Sequence, residues 1–297
     1  MDFMMGNNSR RLDATVAGKL KLGKDIEINR MGFGTMRLPG PEVWGEPTDP
    51  ANAKAVLRQA FEYGINYFDT AAYYGPAVTN QLLRETFYPY PEGLVIGTKV
   101  GALRAPDKSW YAAARPGELR AAVEDNLREL KLEQLDLVHM RYFSDGTNCP
   151  FVESLGALVD LQSEGKINHI GVSNISESQL IEALKLVTVV SVQNLYNLNN
   201  RTSERIVDLC SKQGIAFIPF FPLSIGKIGD ENKLLASLAK KYGVSPFQLA
   251  LAWLLARSPV MLTIPGTASL THLAENVAAA SIELAEDDYA SLAVGAE

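Results

Sequence analysis

The stretch NYFDTAAYYG at residues 66–75 is an apolar, strand-like run that ends in the carboxylate Asp69 and then in Tyr74. The next such run, LVIGTK at 94–99, ends in Lys99. Parallel strands of a closed barrel present their carboxyl ends at one face, where active-site residues from remote segments meet. The sequence therefore predicts that these three side chains converge at one end of a barrel.

The same pattern repeats outward in both directions. Apolar, β-branched runs begin at 31, 135, 168, 189, 215 and 260 and alternate with stretches of helical period. Their carboxyl ends would bring further residues to the same face: Arg141, Asn174, Gln193, Phe220 and Thr267. Strands that alternate with helices indicate parallel βα units. The fold class we predict is α/β, a (β/α)8 TIM barrel.

The barrel is expected to have an N-terminal hairpin and no second domain. The segment 15–28 predicts two short strands around the turn Gly23-Lys24, placed to plug the bottom of the barrel. Residues 1–14 are expected to be a flexible tail and 15–297 a single domain. Helices are predicted from Pro116 onward and over 51–63, 150–164, 201–213, 231–242, 246–256 and 269–279. The loop at 224–229 is either a cofactor clamp or an ordinary connection.

Composition excludes several classes of function. A net charge of -6 disfavours nucleic acid and anionic membranes as partners. Only Cys149 and Cys210 are present, which favours a reducing compartment over a disulfide framework. The three histidines lie far apart, so we predict no metal site. Because no apolar run is long enough for a signal peptide or a membrane span, a cytoplasmic location is expected.

Two glycine-containing motifs resemble nucleotide-binding loops without matching them. GKLKLGKD at 18–25 has Asp25 where a phosphate loop needs Ser or Thr, and its leucines alternate as in a strand. GFGTM at 32–36 lacks the third glycine of a dinucleotide fingerprint, so a doubly wound fold is not supported.

The residues at 69, 74 and 99 make chemical sense together. A tyrosine has an ordinary pKa near 10, which is high for proton exchange at neutral pH, and a neighbouring ammonium favours the phenolate. We therefore expect Lys99 to lower the pKa of Tyr74, and Asp69 to hold Lys99 charged and in place. The alternative is structural: Tyr74 is a packed ring and Asp69–Lys99 is an ion pair.

With these residues in view, the chain resembles the aldo-keto reductases from about residue 15 onward. The matching pieces are GFGTMRL at 32–38, DTAAYYG at 69–75, TKVG at 98–101, KINHIGVSN at 166–174, VQNLYN at 192–197, FFPL at 220–223 and IPGTASLTHLAEN at 264–276. Together these pieces are specific, although each alone is weak.

The resemblance implies reduction of an aldehyde or ketone by NADPH, or with less support NADH, with hydride transferred directly and Tyr74 as the proton donor. Ser173, Asn174 and Gln193 would bind the nicotinamide carboxamide, and Phe220 would stack on the ring. The remaining cofactor residues that it implies are Gly34, Thr35, Met36, Pro222, Leu223, Gly266, Thr267, Ser269, His272, Glu275 and Asn276.

Two departures from the family pattern stand out. Arg141 falls where the family usually places a histidine, and His139, two residues earlier, is expected to point away from the pocket. Arg141 cannot copy a neutral imidazole, but it can orient a carbonyl, lower the pKa of Tyr74 or pair with an anionic substrate group. Gly266 and His272 stand where many NADPH-dependent members place lysine and arginine, which weakens the preference for NADPH without removing it.

The arginine variant is most similar to the bacterial pyridoxal reductase branch, which implies that pyridoxal is reduced to pyridoxine. Trp44, Trp110 and Tyr142 are expected in loops at the mouth of the pocket, where they either sandwich an aromatic substrate or simply anchor the loops. Trp253, in contrast, lies in a helical stretch and is expected in the core.

Two other functions remain open at this point. Lys99 at a strand end could form a Schiff base, as in an aldolase. The chain could also be a redox sensor that binds NAD(P)H tightly and turns over little, as some family relatives do.

Overall fold

The structure is a computed structural model that describes residues 12–143, 149–224 and 232–294. Its strands are β1 (Lys19–Leu22), β2 (Ile26–Asn29), β3 (Phe33–Gly34), β4 (Tyr67–Asp69), β5 (Val95–Arg104), β6 (Trp110–Ala113), β7 (Leu135–Arg141), β8 (Ile167–Ser173), β9 (Val189–Leu195) and β10 (Ala216–Phe220). Its α-helices are α1 (Pro50–Glu62), α2 (Val78–Phe87), α3 (Pro116–Leu130), α4 (Phe151–Ser163), α5 (Glu177–Leu186), α6 (Glu204–Gln213), α7 (Lys233–Tyr242), α8 (Pro246–Arg257), α9 (Leu270–Ala278) and α10 (Glu286–Val294).

The predicted barrel is confirmed. Strands β3, β4, β5, β7, β8, β9 and β10 pair in that order, each parallel to the next. Parallel bridges join Phe217 to Met261 and Met31 to Thr263, and they close the sheet on itself. The strand predicted at 260 is therefore reduced to these two bridges. The carboxyl ends of the strands form one face, on which the predicted site residues lie.

The hairpin fills the opposite end of the barrel, as the sequence predicts. β1 and β2 pair antiparallel, and their side chains Leu22 and Ile28 are fully buried. They pack in one apolar cluster with interior barrel residues such as Tyr67 and Leu137. The hairpin begins later than predicted, because residues 14–17 form a 3₁₀ turn in which the Asp13 side chain accepts a hydrogen bond from the Thr15 amide.

The helices that the sequence predicts are confirmed, with ends shifted by a few residues. Their first turns have the expected caps: α8 begins at Pro246, and Ser245 and Gln248 form a reciprocal capping box. Trp253 on α8 is fully buried and stacks on Tyr196, which confirms its place in the core. Helices α2, α5 and α10 and strand β6 were not predicted.

Some expectations fall on residues outside the described ranges. The described ranges leave out most of the predicted tail, residues 1–11, and most of the candidate clamp at 224–229. Within the described ranges, no helix is long and apolar enough to cross a membrane. The same residues contain no cluster of histidine, cysteine, aspartate and glutamate that could hold a metal ion.

Candidate active site

Lys99 and Asp69 form an ion pair at the carboxyl end of the barrel. The Nζ atom of Lys99 lies 2.5 Å from Oδ1 of Asp69, and each residue is only 3% exposed. Nζ also donates to the carbonyl oxygen of Thr70 at 2.9 Å, and Oδ2 of Asp69 accepts from Nε2 of Gln193 at 2.7 Å. These further hydrogen bonds to both groups offset part of the free-energy cost of burying the two charges.

A buried polar network behind β4 and β5 fixes the two strands that supply this pair. Thr70 donates to Oδ1 of Asn80 at 3.0 Å, and Nδ2 of Asn80 donates to Oδ1 of Asn126 at 2.9 Å. The same Asn126 oxygen accepts from the hydroxyl of Thr98 at 2.7 Å. These four residues are fully buried and are adjacent in sequence to Asp69 and Lys99 or lie on the helices behind them. The network therefore holds the ion pair in register.

Tyr74 lies beside the pair and is 7% exposed. Nζ of Lys99 is 5.0 Å from the centroid of its ring. Burial raises the pKa of the Tyr74 phenol well above its ordinary value, Asp69 raises it further, and the Arg141 guanidinium lowers it. Arg141 thus favours the phenolate, as the sequence predicts, but burial outweighs it and the pKa rises. The expectation that Lys99 lowers this pKa stays a prediction, which the short distance between Nζ and the ring supports.

Arg141, the last residue of β7, reaches the same face. Its guanidinium carbon lies 5.1 Å from the ring centroid of Phe143 and also 5.1 Å from that of Phe220. Two aromatic faces therefore hold a permanent cation near Tyr74.

His139 lies one layer deeper in the barrel. It is opposite Lys99 in the strand register and fully buried, with Nε2 2.8 Å from the hydroxyl oxygen of Ser191. Burial, and then the charge of Lys99, lower its pKa to about 3. Like Arg141, two residues further along the strand, it faces the barrel interior. It does not line the cleft, which agrees with the expectation that it is a core residue away from the pocket. It is a neutral group beneath the ion pair.

A cleft of about 1150 Å³, counting its open side, extends from Tyr74 and Asp69 towards α9. Predicted cofactor residues that line it are Gly34, Met36, Gln193, Phe220, Pro222, Leu223, Gly266, Thr267, His272, Glu275 and Asn276. The sequence analysis missed other lining residues, namely Arg37, Phe221, Phe247, Ile264 and Pro265. Four of them lie within motifs that carry the resemblance and could have been assigned from it: Arg37 in GFGTMRL, Phe221 in FFPL, and Ile264 and Pro265 in IPGTASLTHLAEN. Phe247, on α8, lies in none of these motifs.

Two polar atoms at or beside the inner end of the cleft lack partners. Gln193 lines the cleft, whereas Ser173, which is opposite Gln193 in the β8–β9 register, does not. The hydroxyl of Ser173 and Oε1 of Gln193 are buried and have no hydrogen-bond partner among the described residues. The third residue predicted here, Asn174, has a left-handed backbone with φ of 59° and donates from Nδ2 to the carbonyl oxygen of Tyr142 at 2.8 Å. Buried polar groups are nearly always paired, so these atoms fit a ligand with both donors and an acceptor, such as a carboxamide.

At the outer end of the cleft, the backbone around Gly34 lies very close to the backbone of residues 264–266. A Cβ atom on Gly34 would lie 2.7 Å from the carbonyl oxygen of Ile264, and one on Gly266 would collide with the carbonyl oxygen of Gly34. A lysine at 266 would therefore require the backbone to shift. Beyond it, Ser269 caps α9 by accepting from the His272 amide at 3.3 Å, and Thr267 accepts from the Ser269 amide at 3.0 Å.

The predicted substrate-pocket residues divide into two groups. Trp44 lies in a loop as expected, whereas Trp110 is the first residue of β6, and both rings face the guanidinium of Arg104. Tyr142 is not at the mouth: its ring packs on Phe151 in the main core and its hydroxyl donates to the Cys149 carbonyl at 2.8 Å. Its position directly after β7 turns the side chain outward towards α4. Thr35, also predicted to bind the cofactor, is fully buried, and its hydroxyl donates to the Asp69 carbonyl oxygen at 3.0 Å. That it binds the cofactor stays a prediction.

Comparison with known proteins identifies the same architecture. The model of the Aldo/keto reductase family matches residues 30–294. The chain is 45% identical over 269 residues to pyridoxine 4-dehydrogenase of Escherichia coli, covering 89% of this chain and 94% of that protein. It is 41% identical to an uncharacterized oxidoreductase of Schizosaccharomyces pombe, covering 96% and 92%. A crystal structure of a thermostable aldo-keto reductase with the inhibitor epalrestat aligns with a TM-score of 0.81 at 29% identity, covering 93% and 98%.

Replacing Asp69 tests whether the ion pair is held as the structure shows. In Asp69→Asn the Lys99 ammonium loses its counter-charge while it stays buried, so we expect the free energy of unfolding to fall by about 3 kcal/mol. Urea denaturation measures this. Asp125→Asn is the matched control, because Asp125 pairs with Arg128 on the exposed face of α3 and should cost less than about 1 kcal/mol. Equal losses in the two variants would contradict the burial argument.

Proposed function

The chain belongs to the aldo/keto reductase family, and from that premise we propose that it reduces an aldehyde with NADPH, with pyridoxal, converted to pyridoxine, as the preferred substrate. The observation on which the proposal depends is the arrangement at the inner end of the cleft. Tyr74 and Asp69 line the cleft there, and Lys99 is paired with Asp69. The permanent cation of Arg141 lies against the lining residue Phe220, and Gln193 contributes a buried polar atom that lacks a partner. This set of groups suits proton donation to a carbonyl oxygen whose carbon accepts hydride.

The proposed cofactor residues fit a dinucleotide. A bound reduced nicotinamide supplies the hydride. Ser173 and Gln193 would hold the carboxamide through the buried atoms that lack partners, and Phe220 would support the ring. At the other end, Thr267, Ser269 and the first amides of α9 suit a phosphate. Arg37 and His272 line that part of the cleft, and their donors favour the additional phosphate of NADPH.

Tyr74 is proposed to be the general acid. Because burial raises its pKa, the phenol stays protonated at neutral pH and its proton is available for reduction. As hydride reaches the carbonyl carbon, the proton moves from the phenol to the carbonyl oxygen and leaves a phenolate, which Arg141 stabilises before solvent restores the proton. The reverse reaction needs the phenolate at the outset, so the same electrostatics favour reduction over oxidation at neutral pH.

Arg141 is proposed to select the substrate. Pyridoxal has an ionisable ring hydroxyl beside its aldehyde, and a guanidinium near Tyr74 can hold that oxygen while the carbonyl faces the phenol. The ring of Phe143, which flanks Arg141, offers a face for an aromatic substrate. The name of the Escherichia coli relative, pyridoxine 4-dehydrogenase, supports this substrate class.

The competing functions receive less support. A Schiff base needs a free amine, whereas the Lys99 ammonium is paired with Asp69 and bound to the Thr70 carbonyl. A redox sensor would bind the cofactor equally well, so turnover distinguishes it from the proposed reductase. Both cysteines are free thiols, in keeping with the reducing cytoplasm that we propose as the enzyme's location.

Tyr74→Phe tests the proposed chemistry. The variant keeps the ring but cannot donate a proton, so we expect kcat for aldehyde reduction to fall by about a hundredfold or more. Fluorescence titration should show that NADPH still binds, and binds more tightly than NADH. Turnover at the parental rate would rule out Tyr74 as the acid, and failure of the parent to bind either dinucleotide would rule out the proposal as a whole.

Arg141→Leu tests the proposed substrate. Losing a charged hydrogen bond should reduce kcat/KM for pyridoxal by roughly tenfold to a hundredfold. The control substrate is pyridine-4-carbaldehyde, which lacks the ring hydroxyl and should be affected much less. Equal losses for the two aldehydes would mean that Arg141 does not recognise the hydroxyl, and undiminished pyridoxal turnover would remove Arg141 from the mechanism.

A further inference from the structure

Arg104, the last residue of β5, has an unusual environment close to the site. It is 8% exposed, and all three of its nitrogens donate to backbone carbonyl oxygens. Nε donates to Lys108 at 3.0 Å, one terminal nitrogen to Val43 at 3.1 Å and the other to Glu42 at 3.0 Å. Its guanidinium carbon lies 4.2 Å from the ring centroid of Trp110 and 5.4 Å from that of Trp44. A planar cation thus lies close to two indole rings and is hydrogen-bonded to two loops.

The loop that Arg104 holds is strained. In the Gly40–Gly45 loop, Glu42 has φ of 61° and Val43 has φ of 58°. Two successive non-glycine residues in the left-handed region are unfavourable, especially where one is β-branched. Such a conformation persists only when its surroundings impose it. The carbonyl oxygens of these same two residues accept the terminal nitrogens of Arg104.

This loop contacts the residue that follows Tyr74. The Val43 carbonyl oxygen, which accepts from Arg104, also accepts from the Gly75 amide at 3.2 Å, and the Gly45 amide donates to the Gly75 carbonyl oxygen at 2.8 Å. A second connection is aromatic. The ring centroid of Trp110 lies 5.5 Å from that of Tyr73, which lies 5.3 Å from that of Tyr74. Arg104 is therefore linked to Tyr74 through both backbone and side chains, although its guanidinium does not line the cleft.

We propose that Arg104 is a positioning residue for Tyr74: it holds the strained Gly40–Gly45 loop against Gly75 and so fixes where the phenol lies. This inference rests on the proposed function only for what Tyr74 does. A lysine could not replace Arg104, because an ammonium cannot donate in one plane to three carbonyl groups and stack between two rings.

The test compares Arg104→Ala and Arg104→Lys with the parent protein. A misplaced phenol should lower kcat for pyridoxal reduction by about a hundredfold in Arg104→Ala, while the Kd for NADPH changes by no more than about twofold. Arg104→Lys, the variant expected to fold most readily, should also lose kcat. Adding Glu42→Gly to Arg104→Lys should restore part of it, because glycine adopts the left-handed conformation without steric cost.

Hydrogen exchange supplies a readout that does not depend on turnover. The Gly75 amide should exchange faster in both Arg104 variants than in the parent. Lys108→Ala is one control, since it removes the exposed ion pair between Lys108 and Glu42 but leaves the guanidinium contacts. Arg30→Lys is the other, because Arg30 also donates to backbone carbonyls, those of Ala17, Leu255, Ser258 and Met261, away from Tyr74. It should reduce stability without changing kcat.

The outcomes separate the two proposals. Parental kcat and parental Gly75 exchange in folded Arg104 variants would overturn the positioning role while leaving the reductase intact. The positioning role would also be overturned if Arg30→Lys, with a similar fall in melting temperature, lost as much kcat as the Arg104 variants. If the parent reduced no aldehyde, the proposed function would fail, and Gly75 exchange alone would then decide whether Arg104 holds the loop.

Discussion

The buried ion pair of Asp69 and Lys99 is the constraint on which the rest of the site depends. Two charges taken out of water are tolerated only if their remaining hydrogen-bonding capacity is satisfied and their geometry is fixed. Gln193 and the Thr70 carbonyl satisfy the first condition. The geometry is fixed by residues behind the strands, where Asn126 connects the segments that supply the two charges. A polar network in the layer between barrel and helices thus serves the chemistry at the barrel mouth, and the apolar core around it gives the network its rigidity.

The surroundings of Tyr74 act on its pKa in opposite directions. Burial and then the Asp69 carboxylate raise the pKa, Arg141 lowers it, and the balance is a raised pKa. The guanidinium of Arg141 lies against the rings of Phe143 and Phe220. His139 beneath the pair is neutral, because its pKa falls to about 3. The site therefore keeps a proton on the phenol and a positive charge beside it, which is the state that reduction of a carbonyl requires.

Much of this could be predicted from the sequence, because apolar periodicity and strand ends are local features. The barrel, the plug and the convergence of Asp69 with Lys99 follow from them. Helix α2 was not predicted because its buried face includes Thr79 and Asn80, which belong to the polar network and hide the apolar stripe. The outward turn of the Tyr142 side chain depends on packing that no periodicity encodes. The role of Arg104 depends on contacts between segments about sixty residues apart in the chain, which only the structure brings together.

The most direct test of the account is the ionisation of Tyr74 itself. Ultraviolet difference titration of the parent against Tyr74→Phe isolates the absorbance of this one phenolate. If burial dominates, no Tyr74 phenolate should form up to about pH 10, the ordinary pKa of tyrosine. A Tyr74 transition near neutral pH would contradict the account, because it would show that the neighbouring cations, and not burial, set the protonation state of Tyr74.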